Sequence, residues 1–255
     1  MYVKPKKYLG QHFLTDLSIA ERIADTLPND RPIKVLEIGP GTGVLTQFLL
    51  KKPNVDLKVV EIDTESVAYL KENFPELEGR IVEGDFLEKP LDDFFEGEFC
   101  VIGNYPYNIS SQIFFKVYEN RDRIPFCSGM IQKEVADRLA SPPGHKAYGI
   151  LSVLLQAFYD ITYHFTVSEH VFNPPPKVKS AVISFKRNEV QALDCNDGDF
   201  KTVVKTAFNQ RRKTLRNSLR TIIGERPEII EMEILNKRPE QLSVEEFVSL
   251  TKKLL

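Results

Sequence analysis

The sequence lacks the features that would seat it in a membrane or cross-link it covalently. No stretch of its 255 residues approaches the ~18 consecutive apolar residues a membrane span needs. The segment from Met1 to Leu14 carries Lys4, Lys6 and Lys7 but no apolar run or small-residue cleavage site, so no signal peptide is expected. Cysteine is scarce: Cys100, Cys127 and Cys195 stand far apart, with no CxxC pair. That argues against a zinc site and a disulfide framework, and suits a reducing cytoplasm. There is no internal repeat and no low-complexity tract, and the Pro174–Pro176 cluster is too short for a linker. What is present, 42% hydrophobic and 27% charged residues, is ordinary for a globular protein with a buried core. The length fits one large domain, or one of average size with a small appendage.

Acidic residues are missing from one place in particular. From Lys201 to Arg220 the chain holds Lys201, Lys205, Arg211, Arg212, Lys213, Arg216 and Arg220 and no Asp or Glu, although the net charge of the whole is −2. A concentrated basic stripe in a mildly acidic protein is the footprint of a phosphate-binding surface. The plainer alternative is a solvated helix face.

Hydrophobic spacing organises the rest. A helix is expected from about Asp16 to Leu27, capped by Thr15 or Asp16. Short strands are expected at Ile33–Ile38, Leu57–Ile62, Arg80–Glu83, Phe99–Gly103 and Phe126–Ile131. Helices fall between and after them at Val44–Leu50, Glu65–Asn73, Ser110–Tyr118 and Lys133–Leu139. This alternation predicts an α/β fold, a Rossmann-like parallel sheet with helices on both faces. Asp160–Val167 and Val178–Lys186, rich in β-branched and aromatic residues, suit an antiparallel edge. Beyond about 188 to 197 only helical patterns remain, at Phe200–Phe208, Arg212–Ile223 and Val244–Leu254. The expected division is a domain over residues 1–190 and a small all-helical domain over 191–255.

Three acidic or glycine-rich strand ends point to a nucleoside ligand. Glu37-Ile38-Gly39-Pro40-Gly41-Thr42-Gly43 follows a predicted strand and opens a predicted helix, and glycine there lets the backbone turn sharply and approach a ligand. A dinucleotide fingerprint needs glycine or alanine where Val44 stands, so the pattern is E-x-G-x-G-x-G instead. Glu61, with Asp63 as second candidate, lies about 20 residues on, where a carboxylate accepts hydrogen bonds from ribose hydroxyls. Asp85 can accept from an adenine amino group, with Phe86 or Ile62 covering the ring. Each signal is weak alone. In this order they favour S-adenosylmethionine over a nicotinamide cofactor, with no metal.

The reaction is indicated by Asn104-Tyr105-Pro106-Tyr107. The amino group of adenine is a poor nucleophile because its lone pair is delocalised into the ring. A site accepting from both N–H groups localises that pair, and the Asn104 side-chain oxygen and Tyr105 carbonyl are two such acceptors. Pro106 disfavours the α conformation at Tyr105 and so holds that carbonyl toward the site. Tyr107 offers a ring to a base taken out of its helix. No general base is needed, because a newly methylated amino nitrogen is cationic and sheds its proton readily. The alternative is a proline turn with Asn104 and Asn108 as caps.

These motifs, with Lys7-Tyr8-Leu9-Gly10-Gln11-His12-Phe13-Leu14, Phe172-Asn173-Pro174-Pro175-Pro176-Lys177-Val178 and Phe208-Asn209-Gln210-Arg211-Arg212-Lys213-Thr214, resemble those of the ribosomal RNA adenine dimethyltransferase family over Lys6 to about Leu219. Within it the likeness is to the bacterial small-subunit group. The resemblance implies dimethylation of the N6 amino groups of two adjacent adenosines near the 3′ end of 16S rRNA, in the immature small subunit, by a cytoplasmic monomer with a part in subunit biogenesis. It implies that Gln11, His12 and Leu14 close over the cofactor, with asparagine standing in many relatives where His12 stands. Phe172 would present a second ring to the target adenine, opposite Tyr107. The basic segment with Arg211, Arg212, Lys213, Arg216 and Arg220 would bind rRNA phosphates. The candidate cofactor set is thus Gln11, His12, Leu14, Gly39, Gly41, Glu61, Ile62, Asp85, Phe86 and Asn104, in a 1–190 catalytic domain followed by a 191–255 rRNA-binding domain. A large-subunit rRNA or DNA adenine methyltransferase is the nearest rival, and an assembly factor the rival from another class.

Overall fold

Short apolar runs that alternate with helices have one low-energy arrangement, a parallel sheet whose strands are covered on both faces. The computed structural model of the chain describes residues 3–255; Met1 and Tyr2, the start of the expected 1–190 domain, lie outside the described residues. Contacts divide the chain into two units, one running up to Ala136 and including Ile161–Arg187, the other comprising Asp137–Asp160 and Asn188–Leu255.

The first unit opens with β1 (Phe13–Leu14), α1 (Leu17–Ala24), β2 (Ile33–Ile38), α2 (Thr46–Leu49) and β3 (Val55–Glu61). It continues through α3 (Thr64–Asn73), β4 (Ile81–Glu83), β5 (Cys100–Asn104), α4 (Ser110–Glu119) and β6 (Phe126–Gln132). Along the chain, α5 (Lys133–Leu139) and α6 (Ile150–Gln156) then precede β7 (Tyr159–Val167), β8 (Phe172–Asn173) and β9 (Ser180–Arg187). Seven strands form a sheet in the order β4-β3-β2-β5-β6-β9-β7. Strands β2 to β6 pair in parallel with their neighbours. β9 runs antiparallel to β6, from Phe126 opposite Lys186 to Gln132 opposite Ser180. The α/β sheet with an antiparallel addition is therefore as the sequence pattern indicates.

β2 shows why these runs are strands. Val35, Leu36, Glu37 and Ile38 are all buried, which is the pattern of a central parallel strand. Burying each of its Val, Leu and Ile side chains contributes about 1.5–3 kcal/mol. β2 is also where the strand order reverses: β3 and β4 extend the sheet to one side, β5 and β6 to the other. Open α/β sheets bind ligands beyond the carboxyl ends of the strands at such a reversal.

The second unit adds α7 (Asp197–Asn209), α8 (Leu215–Ser218), α9 (Arg220–Ile223), α10 (Pro227–Ile230) and α11 (Val244–Leu254). Its core includes Phe200, Val204, Phe208, Leu235 and Phe247, with the Phe208 and Phe247 rings stacked at 6.0 Å between centroids. Side-chain caps start the two long helices: Asn196 accepts from Gly198 N and Asp199 N, and Ser243 with Glu246 forms a capping box.

Several local expectations change. The expected 190/191 boundary left residues 137–160 with the first domain, whereas their contacts group them with the C-terminal helices. Leu151, Val153, Leu154 and Leu155 of α6 are all buried, and a helix apolar around its circumference needs neighbours on more than one side; α7 and α11 pack on it. Helix 44–50 shrinks to Thr46–Leu49, because the glycine turn continues through Leu45. The expected helix Arg212–Ile223 breaks at Leu219 (φ −100°, ψ 10°) into α8 and α9. Among the described residues no helix is long and apolar enough to cross a membrane.

Candidate active site

Glu61, Asp63, Asp85 and Asn104 all sit at the carboxyl end of a strand or just beyond one. After β2 the chain turns through Gly39, Gly41 and Gly43, with φ of +66°, +56° and +79°. At Gly41 the positive φ is a requirement, since it aims the backbone N–H at Glu61 Oε2, 3.0 Å away. Glu61 ends β3 and is 4% exposed, and its other oxygen accepts from Asp63 N at 2.9 Å. Burial raises its pKa, and the two backbone N–H bonds oppose that. Each oxygen keeps a lone pair for a further donor.

Beneath the loop lies Glu37, 1% exposed, whose carboxyl accepts from Thr46 Oγ1 at 2.7 Å. Burial pushes its pKa up to about 8, the Thr46 bond pulls the other way and the nearby Glu61 charge adds to the rise. A buried carboxyl holding its proton near neutrality is the expected outcome of desolvation.

β4 delivers Asp85 and Phe86. Asp85 Oδ1 accepts from Leu87 N at 2.8 Å, which leaves Oδ2 for a ligand. Phe86 is 3% exposed but lines the cleft, while Ile62, half exposed, faces it from the β3 side. An apolar cover and a polar edge are what a purine needs.

β5 ends at Asn104. Its Nδ2 donates to the His12 carbonyl at 3.2 Å, so Oδ1 is the end of the amide left to accept. The Tyr105 side chain turns away from the cleft: its hydroxyl donates to Ser128 O at 2.7 Å and its ring lies where a Cβ at Gly129 would come within 2.6 Å of it. Only glycine at 129 admits that ring, and burying it anchors the backbone of the turn. The Tyr107 hydroxyl is hydrogen-bonded to Ser180 on β9, and its ring stacks on His12 at 5.5 Å and 26°.

The N-terminal segment forms one wall. Gln11, His12 and Leu14 line the cleft, as do Tyr8, Phe13 and Asn108. Gln11 Nε2 donates to Asp63 Oδ2 at 3.3 Å and Lys6 Nζ to Asp63 Oδ1. Burial would raise the Asp63 pKa, but hydrogen bonds from Lys6, Gln11 and Ser66 hold it below its usual value. His12 Nδ1 is bonded to Pro174 O at 2.8 Å, and β1 pairs with β8, which ties the segment at its other end. The cleft so walled holds about 1230 Å³ of space when its open mouth is counted.

The structure thus brings together Gln11, His12, Leu14, Gly39, Gly41, Glu61, Ile62, Asp85, Phe86, Asn104, Tyr105, Pro106 and Tyr107 around one cleft. It does not bring Phe172 there. Phe172 pairs with Leu14 across β1 and β8, is 4% exposed and packs in the core with Leu14, Ile23 and Val167. The basic set divides too. Arg212, Lys213 and Arg220 are exposed, whereas Arg211 donates to Lys146 O, and Arg216 to Ile230 O and to Asn236 Oδ1 at 3.1 Å. Glu37, part of the glycine-loop pattern, has no role in the sequence reading; its burial on both faces of β2 is a tertiary property.

The donor set fits an S-adenosyl ligand: a glycine cradle, a carboxylate with open acceptor positions, an apolar slot with Asp85 at its edge, and an acceptor amide across the cleft. A family model described as Ribosomal RNA adenine dimethylase matches residues 3–255. A protein of Parabacteroides distasonis named Ribosomal RNA small subunit methyltransferase A is 65% identical over 249 residues, 98% of this chain and 93% of the relative. One of the same name from Bacteroides thetaiotaomicron is 64% identical over 250 residues, 98% of this chain and 93% of its own. The crystal structure of a dimethyladenosine transferase from Plasmodium falciparum matches with a TM-score of 0.76 and 25% identity, over 94% of this chain and 96% of that one. A 23S rRNA methyltransferase, ErmE, shares the fold with a TM-score of 0.67 over 95% of this chain and 99% of its own. With its glycine cradle, its strand-end carboxylates and Asn104 assembled in one cleft, the chain belongs to the ribosomal RNA adenine dimethylase family, enzymes that take their methyl group from S-adenosylmethionine.

Proposed function

We propose that this protein dimethylates the N6 amino groups of two adjacent adenosines near the 3′ end of 16S rRNA, within the immature small subunit, and so takes part in its biogenesis. The observation that carries the reading is Asn104, whose donor end is tied to the His12 carbonyl, leaving Oδ1 as an acceptor in the cleft. The small subunit as target is supported by the name shared by relatives at 62–65% identity.

When bound, S-adenosylmethionine supplies an electrophilic methyl group on a sulfonium. Gly39 and Gly41 would accommodate its amino-acid portion, Glu61 its ribose hydroxyls, and Asp85 the amino group of its adenine, with Phe86 and Ile62 covering that ring. Gln11, His12 and Leu14 close the cleft from the N-terminal side and exclude water. The target adenine stacks on Tyr107, and its amino group donates to Asn104 Oδ1 and the Tyr105 carbonyl, which localises the nitrogen lone pair. The rest of the rate enhancement is alignment of that nitrogen with the methyl group. The methylated nitrogen is cationic and releases its proton to solvent without a dedicated base. Residues 1–190 carry the chemistry, while the helices of 191–255, with 137–160 grouped beside them, carry Arg212, Lys213 and Arg220 toward rRNA phosphates as a single copy of the chain.

Mass-spectrometric mapping of methylated adenosines in rRNA from cells with and without the protein tests this. Loss of dimethylation at two neighbouring adenosines near the 3′ end of 16S rRNA is the expected result. An unchanged 16S pattern, or a loss in 23S rRNA instead, would overturn it.

A further inference from the structure

Helix α4 starts two residues past Asn108 and is anchored to the Asn104–Asn108 turn, with Ile109 N donating to Pro106 O and Ser110 Oγ to Tyr107 O, both at 3.3 Å. Farther along the same helix, Lys116 turns into the loop that follows β4. Its Nζ donates to Phe86 O at 2.6 Å, Leu87 O at 3.3 Å and Lys89 O at 2.6 Å. An ammonium has three donors, and all three are used on one loop. The same nitrogen lies 4.8 Å from the centroid of the Phe86 ring. Three carbonyls that converge on a point repel one another unless a cation sits between them, so the shape of this loop depends on Lys116. Burial lowers the pKa of this ammonium, and the charge of Asp85 opposes that effect.

We propose that Lys116 is a positioning residue for the methyl donor: it holds the Asp85–Phe86 loop in the form that receives the donor's adenine, and it ties that loop to the helix springing from the Asn104–Tyr107 turn. The proposal rests on the reading that this cleft takes S-adenosylmethionine. One side chain thereby sets the spacing between the donor's base and the acceptor amide. Such a residue touches neither reactant and acts through the loop it shapes.

The test is calorimetric binding of S-adenosylhomocysteine, which occupies the donor site without turnover, to the full chain as wild type, Lys116→Met, Lys116→Arg and Lys34→Met. Lys34 is the control, because its Nζ donates to Glu96 O at 2.8 Å near the far end of the same β4–β5 connection. Lys116→Met keeps the apolar stem and loses the charge, and its Kd is expected to rise about tenfold or more. Lys116→Arg, planar and longer but still cationic, is expected between Lys116→Met and wild type. Lys34→Met is expected to bind like wild type. In steady-state assays KM for the donor should rise with Kd in Lys116→Met, while kcat at saturating donor stays within about threefold. Equal binding by wild type and Lys116→Met would overturn the inference and leave the cofactor reading intact. Equal weakening in Lys116→Met and Lys34→Met would also overturn it, by showing a general loosening of the connection. If Lys116→Met does not fold, Lys116→Gln, uncharged and shorter but still polar, takes its place, and binding equal to wild type by that variant overturns the proposal. Failure of the wild type itself to bind would remove the cofactor reading and the inference with it.

Discussion

Asn104 is a residue whose role depends on which end of its amide faces the cleft. The bond from Nδ2 to the His12 carbonyl decides that, and it makes a sharp prediction. Asn104→Ala should reduce methyl transfer by at least about a hundredfold, as loss of an aligned polar group in an active site does, while S-adenosylhomocysteine binding, which also loses the tie to His12, weakens by a smaller factor, under about tenfold. Near-normal turnover measured with radiolabelled donor would remove Asn104 from the chemistry. Glu37 gives a second prediction, about stability. Its ordinary pKa of 4.5 applies to the unfolded chain and its folded value is about 8, so between these values the folded state binds the proton more tightly. Folding stability from this group is therefore full below pH 4.5 and falls as pH rises toward 8, where the native state must hold a buried charge. Glu37→Gln can still accept from Thr46 but cannot ionise. Thermal melting of donor-free protein at pH 5.5 and 8 should show a wild-type Tm drop larger by a few degrees than that of Glu37→Gln. Parallel pH profiles would mean that Glu37 is ionised in the native protein. The sequence shows a glutamate before a glycine loop; only its position in a strand buried on both faces makes it a weak acid.

At the scale of elements, the N-terminal segment behaves as a strap with two fastenings. One is Lys6 and Gln11 on Asp63, the other β1 on β8 with His12 on Pro174. Because Asp63 also caps α3, the strap is fixed to a helix that is itself part of the sheet domain. The low pKa of Asp63 keeps this fastening at neutral pH; its contribution is present above the ordinary value of 3.8 and is lost as pH falls through the depressed folded value. Lys6→Ala takes the ammonium from a buried carboxylate, but Asp63 keeps Gln11, Ser66 and Glu65 N as donors, so Tm is expected to fall by only a few degrees. Local opening should nevertheless become easier, and hydrogen exchange at Leu9, Gly10 and Gln11, whose N–H groups bond back to Lys6 and Lys7, should quicken several-fold. Unchanged exchange at those amides would show that the strap is held by β1 and β8 alone. Two-residue strands have no periodicity to detect, which is why β1 and β8 were not legible in the sequence, whereas the longer runs of β2, β3 and β6 were. The placing of Phe172 is set at the same scale: a ring in an aromatic-proline loop can face either way, and Phe172 pairs with Leu14 and is buried.

For the whole molecule, the basic window from Lys201 to Arg220 separates into a surface part and an internal part. Arg212, Lys213 and Arg220 are exposed, while Arg211 and Arg216 hold backbone carbonyls within the helical unit. Replacing the three exposed residues by Gln should weaken rRNA binding and reduce the slope of log K against log salt by about 2 to 3, close to one for each phosphate no longer neutralised. Arg216→Gln should act differently, lowering Tm by several degrees through removal of two hydrogen bonds, with a smaller change in slope. An unchanged slope in the triple variant would place the RNA surface elsewhere on the protein. Counting charge along the chain cannot make this distinction, because an arginine beside a helix end and one facing solvent read alike.

The sequence alone determined the class of sheet, the glycine turn, the strand-end carboxylates Glu61 and Asp85, and the Asn104–Tyr107 turn. These are local signals, in which strand period, glycine spacing and a proline restrict a few neighbouring residues, and the strand ends of a parallel sheet then gather at one edge. Tertiary structure decided the rest: the burial of Glu37 and Phe172, the use of Arg211 and Arg216 inside the helical unit, the grouping of residues 137–160 with the C-terminal helices, and the meeting of Lys6 with Asp63 and of Lys116 with the Phe86 loop. Each of these depends on which distant segments pack together, and packing is set by the sum of many apolar interactions that no short pattern encodes.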